Sequence, residues 1–201
     1  MKRMLLLAAL LGVSTLAHGQ EKVGRDEALK YAFLLSANLN VLLDTPIPTD
    51  PDVKRPVAVR DEDHGALVLP ETKLTAQTLA KAGKEIVPVG QLWLANLAPV
   101  SEGQVVPADK LRLVHLNDGN TELDAPCLAL GVRKGSTNGL ELLIYSKGHE
   151  PLMRLPLKAT SVSQEMPIEM SAERKSDGSG TLTLQFFGKY EATLNLRPTA
   201  P

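Results

Sequence analysis

The 201-residue sequence predicts a mainly all-β protein: an antiparallel β-sandwich, immunoglobulin-like in the broad sense, with one short helix near residues 75–82. Three observations predict it. Apolar and polar residues alternate through the C-terminal half, the period-2 signature of strands with one face buried. Turns rich in Gly, Asn and Asp separate these runs at short intervals, as in antiparallel hairpins. The chain is also 43% hydrophobic with a single cysteine, so packing and not an internal disulfide must hold the fold.

The N-terminus is a targeting segment. Lys2 and Arg3 precede an apolar run from Met4 to Val13, and small residues follow, ending in Ala17-His18-Gly19. A basic start, a short apolar core and a small-x-small end define a secretory signal peptide over residues 1–19, cut after Gly19 or, alternatively, after Ala17. The run is shorter than the roughly 20 apolar residues that a membrane-spanning helix needs. Residues 20–201 are therefore expected to form one exported domain, periplasmic or secreted, with no membrane span after signal removal. Taking Lys2 and Arg3 from 22 basic residues against 23 acidic ones leaves a net charge of −3. That balance gives no basic excess for nucleic acid.

The elements follow in order. Asp26-Glu27-Ala28-Leu29-Lys30 has helix-forming composition with acids at the front. From Tyr31 to Leu43 every odd-numbered residue is apolar, which predicts a strand over Ser36–Leu43. Residues 44–56 hold four prolines and read as an extended surface segment, because proline lacks the ladder donor. Val57-Ala58-Val59 and Ala66-Leu67-Val68-Leu69 form a hairpin closed by Arg60 to Gly65. Thr75 to Ala82 is the helix, capped by Thr72 or Thr75, with Gly83 suited to the left-handed position beyond its end. Ile86 to Leu97 returns to strand. Then come the alternating runs Leu111-Leu113-His115, Leu128-Leu130-Val132, Leu140-Leu142-Ile144, Leu155-Leu157, Leu182-Leu184-Phe186 and Tyr190-Ala192-Leu194-Leu196.

The last hairpin has a definite expected register. A two-residue loop at Gly188-Lys189 would set Phe186 opposite Glu191 and mix the faces. A three-residue loop, Phe187-Gly188-Lys189, pairs Phe186 with Tyr190, Leu184 with Ala192 and Leu182 with Leu194, which keeps the apolar set together. Thr183, Gln185, Glu191 and Thr193 then face solvent.

The chemistry is sparse. The sequence has no phosphate-binding loop, no dinucleotide-binding glycine motif, no H-E-x-x-H, no C-x-x-C and no G-x-S-x-G. Cys127 starts a buried strand and reads as an inert core thiol. His115 shares parity with Leu111 and Leu113 and reads as a structural histidine. The densest polar cluster is Asp61-Glu62-Asp63-His64. It reads first as a solvated hairpin tip; Asp61, Asp63 and His64 are the candidate ligands if it holds a hard cation such as calcium, although the spacing of a calcium loop is absent. No other cofactor is implied. Trp93, between two leucines, faces the core or, if exposed, anchors a partner.

These observations favour an exported, non-enzymatic protein that binds a protein or polymer partner in the cell envelope or outside the cell. The alternative is an exported hydrolase with its site near the Asp61–His64 turn. The two differ in whether carboxylates and histidine converge in a concave pocket.

Overall fold

The computed structural model describes residues 21–42, 47–117, 122–136 and 139–199. The signal peptide expected over residues 1–19 lies outside them.

In chain order the elements are β1 (Glu21–Lys22), α1 (Arg25–Leu35), a 3-10 helix (Ser36–Leu42), β2 (Val57–Asp61), β3 (His64–Pro70), α2 (Ala76–Ala80), β4 (Val87–Ala95), β5 (Leu97–Ser101) and β6 (Gln104–Val105). A short 3-10 turn (Ala108–Lys110) leads into β7 (Arg112–Asn117), β8 (Glu122–Lys134), β9 (Leu140–Tyr145), β10 (Met153–Pro156) and β11 (Lys158–Ala159). The chain ends with β12 (Ile168–Arg174), β13 (Gly180–Phe186) and β14 (Tyr190–Pro198).

The strands form two antiparallel sheets. The first runs β1-β2-β3-β4-β8-β9-β10, with β7 also paired to β8. The second runs β12-β13-β14-β5-β6, with β11 paired to β14. The sheets pack face to face around one core that includes Val68, Leu92, Leu128, Ile144, Ile168, Leu184, Phe186 and Leu194. The fold is thus an all-β sandwich, as the alternation predicts. The strand order supports the sandwich but does not by itself carry the immunoglobulin-like qualifier.

The last hairpin has the expected register. Phe186 pairs with Tyr190, Leu184 with Ala192 and Leu182 with Leu194. Phe187 and Gly188 both take positive φ, 51° and 65°, which builds the three-residue loop. A Cβ on Gly188 would meet the Val162 carbonyl oxygen at 2.0 Å, so glycine is required there twice over. The side chain of Gln164 closes the loop, accepting from the Gly188 N–H and donating to the Met166 and Pro167 carbonyls.

Four expectations are corrected. Ser36–Leu42 is a 3-10 helix and not a strand, and it continues α1. Ala28, Ala32 and Leu35, spaced i, i+4, i+7, are the buried residues of α1. Tyr31 and Phe33, the first two residues of the odd-numbered apolar series, lie on the exposed side. The expected strand from Ile86 to Leu97 breaks at Asn96, whose φ of 53° turns the chain from β4 in the first sheet to β5 in the second. In β7 the buried residue is Val114, while Leu113 and His115 are exposed, the reverse of the expected parity. Finally, α2 is capped at Thr75 by a reciprocal pair with Thr78, as expected, but Gly83 does not adopt positive φ. It accepts a hydrogen bond from the Lys134 N–H instead.

A third layer explains the apolar runs. The outer face of the first sheet carries Ala58, Leu67, Leu69, Trp93, Cys127, Ala129, Leu143 and Tyr145, all buried, and α1 with its 3-10 extension packs there as a second core. Eight consecutive residues of β8 are buried for this reason. The second sheet's outer face is polar and uncovered, with Thr183 and Thr193 hydroxyls paired at 3.0 Å.

Candidate functional site

The Asp61–His64 turn is a two-residue connection in which Asp61 pairs with His64 across β2 and β3, and Glu62 takes a φ of 56°. Its carboxylates do not converge. Asp61 accepts from Arg174 Nη1 at 3.2 Å, and Glu62 lies 3.6 Å from the same nitrogen. Asp63 turns the other way, to His64 Nδ1 at 3.0 Å. Arg174 belongs to β12 of the other sheet, so the turn bridges the two sheet edges. Lys22 and Glu169 make a second bridge on that side, at 3.1 Å. Asp61, Asp63 and His64, the candidate cation ligands, are thus drawn to different partners, Asp61 to Arg174 and Asp63 to His64. Among the described residues no group of three or more His, Cys, Asp or Glu side chains could hold a metal ion. The cavity beside the turn, lined by Asp61, His64, Arg174 and Ser179 among others, measures about 20 Å³. That is room for about one water and not for a substrate.

Trp93 is 3% exposed and sits in the second core, against which α1 packs; this is the core placement of the two that the sequence left open. Its Nε1–H donates to Gln91 Oε1 at 3.1 Å. Gln91 is itself fully buried and donates from Nε2 to the Leu39 carbonyl at 2.9 Å and to Thr49 Oγ1 at 2.8 Å. One amide therefore satisfies the indole and ties the 3-10 helix to the sheet. Cys127 lies in the same layer with no exposure, and burial pushes its thiol well above the ordinary range. That suits an inert thiol and not a nucleophile. His115 is exposed and pairs with Asp124 at 3.0 Å across β7 and β8.

One buried acid went unremarked in the sequence. Glu71, just after β3, accepts the Asp50 N–H at 2.6 Å. Burial raises its pKa, and the Asp50 carboxylate adds to the rise while the hydrogen bond opposes it. Around it the Pro-rich segment is fastened down. The Asp52 N–H donates to the Pro70 carbonyl, Thr72 N–H donates to the Asp50 carbonyl, and Arg55 bonds both Asp52 and the Thr72 carbonyl. Of the segment expected over 44–56, the described residues 47–56 hold no helix, with a turn at 53–55, and Ile47 is buried against the second core.

The feature that sequence reasoning missed is the outer face of α1. Phe33 is 76% exposed and Leu34 52%, with Tyr31 beside them. Asp26, Leu29, Lys30, Phe33 and Leu34 share one open, shallow face along the helix. At one margin Glu27 accepts from Tyr31 Oη at 2.8 Å and from Arg60 Nη1 at 2.6 Å. The tyrosine hydrogen bond and the guanidinium hold the Glu27 carboxyl below its usual range, and the same bond raises Tyr31. The spacing of Ala28, Ala32 and Leu35 was the available signal. It makes the stretch a helix, and Leu29 and Phe33 then fall outside the buried stripe.

Comparison with protein families, curated proteins and solved structures finds no match to this chain.

Proposed function

We propose that the mature chain is an exported, non-enzymatic binding protein of the cell envelope or extracellular space, and that it docks a protein partner through the outer face of α1. The observation that carries this reading is the cluster of Phe33, Leu34 and Leu29 on one open face. Large apolar side chains grouped on one exposed helix face mark an interaction surface far more often than single exposed residues do. Phe33 projects far enough to fill a pocket on a partner, as buried aromatic anchors do at interfaces. Asp26 and Lys30 offer opposite charges at the margin. A protein suits this face better than a carbohydrate polymer, since its centre offers no polar groups to meet hydroxyls. The leader-like first 19 residues support export.

The test is a photo-crosslinking residue placed at position 33, with position 193 on the polar face of β14 as control, followed by reconstitution with the purified partner. A partner trapped at 33 and not at 193, whose affinity falls at least about tenfold with Phe33→Asp, supports the reading. Equal trapping at both positions, or unchanged affinity in Phe33→Asp, overturns it.

A further inference from the structure

The N-terminal layer is a packing unit of its own. It is one continuous stretch, from β1 through α1 to the end of the 3-10 helix at Leu42, and it lies at the end of the described chain. Its apolar contacts belong to a core separate from the one between the sheets. Val23, Ala28, Ala32 and Leu35 pack on the sheet's outer face, and none of them enters the inter-sheet core. Its fastenings are few. β1 contributes two ladder pairs, Glu21 with Arg60 and Lys22 with Val59. The Val23 N–H donates to the Ala58 carbonyl, Glu27 and Lys22 make exposed ion pairs, and Gln91 holds the Leu39 carbonyl. At their sheet ends the Val23, Lys22 and Gln91 ties reach buried residues, Ala58, Val59 and Gln91 itself, and of these only the Gln91 tie is made by a side chain. The 3-10 helix is seven residues long. Runs beyond three or four residues are uncommon because their hydrogen bonds are poorly aligned.

We infer that this layer opens as a unit while the two-sheet sandwich stays folded, and that opening uncovers a second apolar face containing Trp93, Cys127, Leu143 and Tyr145. Proteins open in contiguous units of differing stability, and elements with few buried ties open first. The inference does not depend on what α1 binds. It gives Trp93 and the thiol of Cys127 a route to solvent that the closed structure denies them.

Cys127 is the chain's one cysteine, so its modification by a thiol reagent reports opening without ambiguity. Labelling is followed on the purified chain across urea concentrations below the unfolding transition, in three proteins. In the wild type the rate should exceed that allowed by global unfolding and depend only weakly on urea. Gln91→Ala removes the side-chain tie to the Leu39 carbonyl and should raise the labelling rate at least about tenfold. Leu184→Ala lies between the sheets and weakens the closed and open forms equally. It should make global unfolding at least about tenfold easier yet leave labelling within about twofold of wild type. Labelling that accelerates in Leu184→Ala in proportion to its lost global stability would show that Cys127 is reached only by complete unfolding, and would overturn the inference. If either variant fails to fold, the wild-type urea slope alone decides. A slope equal to that of global unfolding is the overturning result.

Discussion

Leu184→Ala tests the packing of the sandwich at its centre. Leu184 is fully buried on β13, which lies between β12 and β14, with Met170 of β12 paired on one side and Ala192 of β14 on the other. Truncating a buried leucine costs the transfer energy of the lost carbons plus a term for the cavity left behind, about 2.7–5.0 kcal/mol in well-packed cores. Two features place this site near the middle of that range. Ala192 is too small to fill the gap, and β13 is laddered on both sides and cannot slide inward. Met170, flexible and unbranched, recovers part of the volume. The expected loss is about 3–4 kcal/mol, which for a chain of this length lowers the melting temperature by roughly 6–16 °C. Thermal melts and urea titrations measure both. Thr183→Ala, one residue away on the uncovered face, loses only one exposed hydroxyl pair and should cost at most about 1 kcal/mol. Equal losses for the two variants, or a Leu184→Ala loss under about 1 kcal/mol, would refute the assignment of faces on which the sandwich is built.

Three further outcomes are expected. Glu71 has a raised pKa in the folded chain, so its contribution is fully favourable below the usual glutamate range and is lost as pH rises through the raised value. Glu71→Gln keeps an oxygen for the Asp50 N–H, so at pH 7 it should be at least as stable as wild type, with the difference vanishing in acid; a variant less stable at pH 7 contradicts this in a pH series of urea melts. Trp93 should show blue-shifted fluorescence that a soluble ion quenches poorly, since its ring is buried and its N–H bonded; strong quenching in the native state would place it at the surface. Intact mass of the exported product should correspond to a chain beginning at Gln20 or His18, and retention of Met1 with Lys2 would remove the export reading.

Much of the second sheet was legible in sequence because only one of its faces is buried. Its strands keep clean alternation, and the apolar parity of Leu182, Leu184 and Phe186 against Tyr190, Ala192 and Leu194 leaves one register that avoids mixing faces. The first sheet was harder. Strands buried on both sides lose their alternation, and Gln91-Leu92-Trp93-Leu94 does not say which residue points to which core. The stretch from Tyr31 to Leu42 was misjudged for a related reason. It is apolar on nearly every side, so the alternation of its odd positions is no better evidence than the helical spacing of Ala28, Ala32 and Leu35. Tertiary packing against the sheet decides between them. The polar cluster at Asp61–His64 was visible as composition, but its partner, Arg174, lies 113 residues from Asp61, and no local signal could show the bridge.

The difference between the two sheets also explains why the N-terminal layer exists. The outer face of the second sheet presents Thr183, Gln185, Glu191 and Thr193 and can meet water as it stands. The outer face of the first sheet presents Leu67, Leu69, Trp93, Cys127, Leu143 and Tyr145, a continuous apolar surface that would drive association if left open. α1 and its 3-10 extension cover it, and α1 does so with small residues, Ala28 and Ala32, that let the helix approach closely. The cost is that the helix must turn Phe33 and Leu34 outward. A chain that begins after the 3-10 helix, at residue 47, should therefore keep its inter-sheet core, since none of that core lies before Val57. It should nevertheless self-associate through the bared sheet. Light scattering of that truncation distinguishes the cases. A monodisperse, soluble monomer would mean that the outer face of the first sheet tolerates water, and that the N-terminal layer is present for α1 alone.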